Sequence, residues 1–128
     1  MFQLVHLSDL HLRSGDKTCL FHPEMSHANR KLPWLVEAID REFPDAHVVI
    51  TGDITDSGTS PSVRQALSLL APWLQPQQLS IVPGNHDCGT KGSAWLRERK
   101  QHLIDAFANC TPTTYPWVKT VGPLALIG

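Results

Sequence analysis

The stretch Pro83-Gly84-Asn85-His86-Asp87 constrains this chain of 128 residues more than any other. It follows the apolar run Leu79–Val82, which has the length and composition of a buried strand, and the Pro-Gly pair predicts a turn where that strand ends. An amide, an imidazole and a carboxylate in consecutive positions do little for packing. Their position at the end of a buried strand is typical of a binding or catalytic site.

Two earlier stretches repeat this design. Residues 4–8 are a short, mostly apolar run that leads into Asp9-Leu10-His11, and residues 47–51 lead into Gly52-Asp53-Ile54-Thr55-Asp56. Side chains two positions apart on a strand face the same way, so Asp9 and His11 are expected to reach one metal together. Gly52 frees the backbone for a sharp turn that leaves the Asp53 carboxylate exposed. For Asp56 we expect a structural role, a side-chain bond to the backbone of its own turn.

Three helices are predicted between and after these strands. Apolar residues at helical spacing predict a first helix from Pro33 to Phe43, stopped by Pro44-Asp45. The pair Ser60-Pro61 predicts an N-cap followed by proline at the first helical position, and this second helix ends near Pro72 and Pro76. A third helix, capped by Ser93, has a predicted buried face that consists of Leu96, Leu103, Ile104 and Phe107.

The order strand, helix, strand, helix, strand predicts an α/β fold with a mostly parallel sheet and right-handed crossovers. Ligands bind such sheets beyond the carboxyl ends of the strands, where all three polar stretches fall. Residues 117–121 and 124–127, around Gly122-Pro123, predict a hairpin whose last strand should be buried. Two or three helices cover both faces of a parallel sheet poorly. We therefore expect residues 1–128 to form a single domain that is incomplete at its C-terminal end.

Composition limits the partners. A formal net charge of −1 provides no broad electrostatic grip on long nucleic acid or on an acidic membrane. No run approaches the roughly 20 apolar residues that span a bilayer, and the N-terminus has no signal-peptide pattern. The cysteines Cys19, Cys88 and Cys110 have no paired spacing and are expected to be reduced thiols, with Cys88 packed rather than ligating. A cytoplasmic protein is the corresponding prediction.

The three polar stretches, Asp9-Leu10-His11, Gly52 to Asp56 and Gly84-Asn85-His86-Asp87, resemble the N-terminal signature blocks of the calcineurin-like metallophosphoesterases. The surrounding residues 7–12 and 82–87 look most like the class III cyclic-nucleotide phosphodiesterase branch. The resemblance implies the N-terminal half of an αββα sandwich. It also implies a hydrolase that cleaves phosphate esters, such as cyclic nucleotides, with hydroxide activated by two divalent metal ions.

By this resemblance Asp9 and His11 bind the first metal, Asp53 bridges both metals, and Asn85 binds the second through its amide oxygen. His86 faces the phosphate or the leaving oxygen, and Asp87 orients the His86 ring. Mixed oxygen and imidazole ligation suits manganese, iron or zinc and does not choose among them.

The resemblance further implies a later histidine and a Gly-His-x-His block, whereas His102 is the only histidine after His86. This departure leaves a second hypothesis open. The chain is then a non-catalytic module that binds metal, or one that docks a partner chain which supplies the missing half. An oligomer of this chain is also predicted. The segment from Arg13 to Asn29 is expected to be an irregular loop beside the site. Its histidines, His22 and His27, are as well explained by solvated loop positions as by substrate contacts.

Overall fold

The computed structural model describes residues 1–15, 27–75, 77–88 and 97–128. The helices and strands alternate along the chain in the predicted order. They are β1 (Leu4–Leu7), α1 (Ala28–Glu42), β2 (His47–Thr51), α2 (Ser60–Leu69), β3 (Leu79–Val82), α3 (Arg97–Ala106), β4 (Val118–Val121) and β5 (Leu124–Ile127), with a 3-10 turn at Ala71–Trp73.

The first three strands form a parallel sheet in the order β1-β2-β3. The register pairs Leu4 with His47 and Val48 with Leu79, so the three carboxyl ends meet at one edge. The two strands β2 and β3 are largely buried, and their bounds are those that the sequence predicts. This confirms the α/β class, the parallel sheet and the common edge for the three polar stretches.

Helix α1 differs from its prediction at its start. It begins at Ala28 rather than Pro33, without a side-chain cap at His27, and it ends at Glu42, where the Phe43 N–H donates to the Ile39 carbonyl. Pro33 therefore lies inside the helix, where it cannot donate to the Asn29 carbonyl one turn earlier. The residues before Pro33 are mostly polar or charged, so the apolar spacing that predicts the helix does not extend over its first turn. Leu32, Val36 and Ile39 are buried as the periodicity requires.

Helix α2 is capped one residue earlier than predicted. Thr59 rather than Ser60 is the N-cap residue, without a side-chain cap bond, and Pro61 is the second helical residue. The helix ends at Leu69, and the 3-10 turn that follows contains Pro72, whose missing N–H cannot continue the α-helical pattern. Pro76 lies outside the described residues. Val63 and Ala66 of this helix and Leu70 at its C-cap are buried.

The C-terminal part of the described chain contains α3 and a hairpin. Leu103, Ile104 and Phe107 are buried as predicted, while Ser93 and Leu96 lie outside the described residues. Strands β4 and β5 are antiparallel, which confirms the hairpin. The expectation of a buried last strand is wrong, because most of β5 is exposed and Ile127 is 77% accessible.

Two polar side chains secure the sheet away from the site. His47, at the first residue of β2, is 2% exposed; its Nδ1 lies 2.7 Å from the Gln77 carbonyl and its Nε2 2.9 Å from the Ser80 hydroxyl. Burial lowers the pKa of His47, and the charge on Lys119 lowers it further. The Lys119 ammonium donates to the Leu79 carbonyl at 2.8 Å and to the Cys110 carbonyl at 2.6 Å, and so attaches the hairpin to β3.

None of the helices in the described ranges is long and apolar enough to cross a membrane.

Candidate metal centre

The loops after β1 and β2 continue to pair beyond the ends of their strands. The Asp9 N–H donates to the Gly52 carbonyl at 3.2 Å and the His11 N–H to the Asp53 carbonyl at 2.8 Å. The Leu12 N–H then donates to the Ile54 carbonyl at 2.9 Å. The first two polar stretches therefore run side by side at the carboxyl edge of the sheet.

Three candidate ligands adopt left-handed backbone conformations. The φ angles are +57° at Asp9, +47° at His11 and +50° at Asp53. The strand-alternation argument for Asp9 and His11 is therefore wrong, because β1 ends at Leu7 and both residues lie in a turn. The turn still brings Asp9 Oδ1 to 3.9 Å from His11 Nε2. Non-glycine residues in this region are strained, and such strain is concentrated at functional sites.

Two glycines allow the second and third polar stretches to touch. Gly52 has a φ of +90°, and a Cβ there would lie 3.2 Å from the Gly84 Cα. A Cβ on Gly84 would collide with the backbone nitrogen and the carboxylate of Asp53. The sharp turn predicted at Gly52 is confirmed. The close approach at Gly84 escaped the sequence reasoning, although its Pro-Gly context was visible.

The structure places His11, Asp53 and His86 together. One ligand atom of each lies within 4.8 Å of the others. The His11 and His86 rings meet edge to face with centroids 4.7 Å apart, and the backbone N–H of His86 donates to Asp53 Oδ1 at 2.9 Å. His86, predicted to face the phosphate, thus has a ring nitrogen within reach of the same cluster. Asp9 lies beside this cluster with an exposed side chain.

The third polar stretch divides into an exposed and a buried residue. Asn85 is exposed, and no hydrogen bond or ion pair in the described part of the chain joins its side chain to the cluster. The Asp87 carboxylate is fully buried and accepts hydrogen bonds from the Ile54, Thr55 and Gly84 N–H groups and from the Thr55 hydroxyl, at 2.7–3.1 Å. Asp87 therefore connects the loop after β2 to the loop after β3.

The expected contact between Asp87 and the His86 ring is not formed. His86 Nδ1 instead lies 3.1 Å from the backbone carbonyl of Asp56. Because a carbonyl only accepts, this contact requires the hydrogen on Nδ1. The Asp56 side chain also differs from expectation, since its carboxylate pairs with Arg13 rather than with its own turn, and Asp56 Oδ1 lies 3.2 Å from Arg13 Nη2. Sequence reasoning missed Arg13, which carries no motif signal of its own.

The donors fit a divalent cation of the borderline type. Carboxylate oxygens and imidazole nitrogens suit manganese, iron or zinc. His11 is buried, and its Nδ1 has no hydrogen-bond partner, which is unusual for a buried polar atom. This nitrogen faces the Asp56 carboxylate at 3.8 Å, whereas Nε2 lies on the side of Asp9. The carboxylate–imidazole set as a whole is consistent with a metal site.

The remaining candidates contribute less. Cys88 is half-buried and Cys110 buried, both are free thiols, and burial raises the pKa of each. A protonated, packed Cys88 agrees with its prediction. His27 is exposed beside α1, whereas His22 and Cys19 lie outside the described residues.

Comparison with known proteins agrees with the geometry. The family model for calcineurin-like phosphoesterases matches residues 2–127. The chain is also similar to a cAMP/cGMP dual specificity phosphodiesterase of Mycobacterium tuberculosis, with 33% identity over 90 residues. That alignment covers 67% of this chain and 27% of the relative, so the chain spans about a quarter of the relative that it matches.

Proposed function

The chain belongs to the calcineurin-like phosphoesterase family, and we propose that it carries a site for metal-dependent hydrolysis of phosphate esters. The observation that carries this proposal is the cluster of His11, Asp53 and His86, whose ligand atoms lie within 4.8 Å of one another. It lies at the carboxyl edge of a parallel sheet, where such folds bind their ligands.

We assign the ligands as the family resemblance implies. Asp9 and His11 would hold one divalent ion, Asp53 would be shared between this ion and a second, and Asn85 would offer its amide oxygen to the second. Manganese, iron and zinc all suit this set. A pair of such ions supplies charge stabilisation and a water of lowered pKa at neutral pH. Asp53 is suited to bridging because the His86 N–H fixes one of its oxygens and the backbone of Gly84 packs against it.

We place His86 beside the leaving oxygen of the ester. Its Nδ1 donates to the Asp56 carbonyl, so Nε2 is the nitrogen on the opposite side of the ring and is available to the site. When Nε2 also carries a proton, the His86 imidazolium can transfer that proton to an alkoxide leaving group, and the ring returns to the neutral Nδ1–H form. Asp87 acts indirectly, because it joins the loops that carry Asp53 and His86.

For the substrate we propose a small phosphodiester. The similarity to a phosphodiesterase that acts on cAMP and cGMP favours cyclic nucleotides. The net charge of −1 disfavours long nucleic acid. A cytoplasmic location remains part of this proposal.

The test is hydrolysis of bis(p-nitrophenyl) phosphate by the 128-residue chain with and without Mn²⁺, followed by cyclic AMP as substrate. Asp53→Asn should abolish Mn²⁺-dependent turnover, because the amide cannot bridge two cations as a carboxylate does. Asp45→Asn makes the same chemical change at an exposed position after α1 and should leave turnover unchanged. Circular dichroism of each variant shows whether it is folded.

Turnover that survives Asp53→Asn would contradict the assignment of the site. A folded chain that binds Mn²⁺ by calorimetry but hydrolyses neither ester would overturn catalysis by this chain. That result would favour the alternative of a module that binds metal or docks a partner chain.

A further inference from the structure

We propose that Arg13 is a positioning residue of this site, which holds Asp56 behind the two imidazoles; the inference rests on the function proposed above. Arg13 follows the first polar stretch by two residues, and its side chain is only 17% exposed. It is separate from the candidate ligands, and its guanidinium reaches Asp56 on the neighbouring loop.

One oxygen of Asp56 lies near three nitrogens. Asp56 Oδ1 is 3.2 Å from Arg13 Nη2, 3.8 Å from His11 Nδ1 and 3.9 Å from His86 Nδ1. Only the contact with Arg13 is short enough for a hydrogen bond. The guanidinium therefore fixes the carboxylate, while both rings face the fixed carboxylate through the same nitrogen.

An Asp56 held by Arg13 decides which nitrogen each imidazole presents to the site, because the Asp56 backbone carbonyl accepts from His86 Nδ1 at 3.1 Å and its carboxylate faces His11 Nδ1. Nδ1 and Nε2 lie on opposite sides of the ring, so a ring that faces Asp56 through Nδ1 turns Nε2 away from it. His11 Nε2 accordingly lies 3.9 Å from Asp9 Oδ1, on the ligand side. Partners behind a ligating histidine commonly set its tautomer and orientation in this way.

Arg13 is itself held by helix α1. The Arg13 N–H donates to Asn29 Oδ1 at 3.1 Å, and Asn29 Nδ2 donates to the Arg13 carbonyl at 2.8 Å. Both backbone groups of Arg13 are thus fixed by one side chain in the first turn of α1. The Arg13 side chain is consequently attached to a fixed backbone. Contacts therefore continue from α1 through Arg13 and Asp56 to the imidazole rings.

The first experiment compares Arg13→Ala with wild type in Mn²⁺-dependent hydrolysis. We expect kcat to fall about tenfold with KM nearly unchanged, because Arg13 orients the rings without touching the ester. Arg13→Lys retains a cation next to Asp56 and should recover most of the lost kcat. Arg41→Ala removes an exposed arginine that pairs with Glu42, and kcat should stay at the wild-type value. A raised KM with unchanged kcat in Arg13→Ala would overturn the proposal in favour of direct substrate binding.

A double-mutant cycle with Asp56→Asn tests the route of the effect. If Arg13 acts through Asp56, the double variant should lose no more kcat than the more damaged single variant. Fully additive losses would contradict the proposal.

A readout without metal or substrate separates this inference from the proposed function. Two-dimensional ¹H–¹⁵N NMR of the imidazoles at pH 8 should show His86 as the Nδ1–H tautomer in wild type and in Arg41→Ala. In Arg13→Ala we expect a mixture of tautomers. An unchanged tautomer would overturn the positioning role even where kcat falls. A change of tautomer in a chain without hydrolytic activity would support the Arg13 contact and reject the proposed function alone.

Discussion

The two ends of the parallel sheet each bury a polar side chain, and they use it differently. At the carboxyl end Asp87 is 0% exposed, and at the amino end His47 is 2% exposed. Asp87 accepts four hydrogen bonds from donors on two different loops. His47 has two partners, both next to or within β3. At the carboxyl end, the connection between the loops thus depends on the Asp87 carboxylate. At the amino end, His47 connects strands that the sheet already pairs.

The contrast extends to the backbone. At the carboxyl end three non-glycine residues adopt positive φ, and Gly84 packs directly against Asp53. At the amino end β2 has regular parallel pairing on both sides. Asp87 connects loops that have no regular pairing of their own, whereas His47 adds to strands that are already paired. We therefore expect Asp87 to contribute more to the free energy of unfolding than His47.

Loss of the Asp87 carboxylate should give the largest effect. Asp87→Ala leaves three buried donors and one part-buried donor without an acceptor, and we expect the free energy of unfolding to fall by about 4 kcal/mol. Urea unfolding followed by circular dichroism measures this change. Asp45→Ala, an exposed aspartate, should stay within about 0.5 kcal/mol of wild type. A loss at Asp87 as small as that at Asp45 would remove the distinction between the two ends.

A methyl group at Gly84 should have an intermediate effect. Its Cβ would collide with Asp53, so Gly84→Ala requires the loops to separate and should cost about 2 kcal/mol. Gly15→Ala shows the opposite case, because no atom lies within 4 Å of its Cβ but its φ is +81°, whereas Gly84 has no positive φ. It measures backbone strain alone, for which we expect about 1 kcal/mol. A loss at Gly84 within about 0.5 kcal/mol of wild type would show that close packing there is unimportant.

Protonation of His47 should give the smallest effect, visible as a dependence of stability on pH. Burial lowers the pKa of His47, and Lys119 lowers it further, so the unfolded chain takes up a proton at a higher pH than the folded chain. The contribution of neutral His47 to the free energy of unfolding is therefore complete above the unfolded pKa of about 6.5. It is lost as the pH falls toward the folded pKa, and the slope is at most ~1.4 kcal/mol per pH unit.

Urea unfolding at pH 7.5 and pH 5.5 measures this slope. His47→Gln removes the titrating group, and the stability difference between the two pH values should shrink relative to wild type. Lys119→Met should reduce it less, because burial, the largest cause of the lowered His47 pKa, remains. An identical pH dependence in wild type and His47→Gln would show that the amino end is not sensitive to protonation of this residue.

Much of the fold could be predicted from the sequence because its strands are strongly patterned. The short apolar runs of β2 and β3 end at clear turn signals, and their predicted bounds agree with the structure. The start of α1 could not be predicted, because Ala28 to Lys31 carry no apolar periodicity and no capping side chain. The exposed face of β5 also differs from prediction, since apolar composition does not reveal which face another element covers.

At the site, the sequence identified the residue types but not their directions. Asp56 and Asp87 are both aspartates in turns, and their spacing does not reveal which carboxylate turns inward. In the structure the Asp87 carboxylate binds loop backbone, and the residue that lies behind His86 is Asp56, whose backbone carbonyl is 3.1 Å from His86 Nδ1. Arg13 depends on contacts between separate loops and a helix, which local pattern does not report.

At Asp9, His11 and Asp53 the left-handed backbone favours glycine, whereas the site requires a carboxylate or an imidazole at the same positions. Glycine would relieve the backbone at all three but would bring neither a carboxylate nor an imidazole. Aspartate and histidine are among the residues that enter this region most readily, so they give ligand chemistry at a low conformational cost. At His11 and Asp53 the side chain also makes contacts that glycine would lose, since His11 is buried and Asp53 accepts the backbone N–H of His86. The same side chains therefore offset the backbone strain that their ligand positions impose.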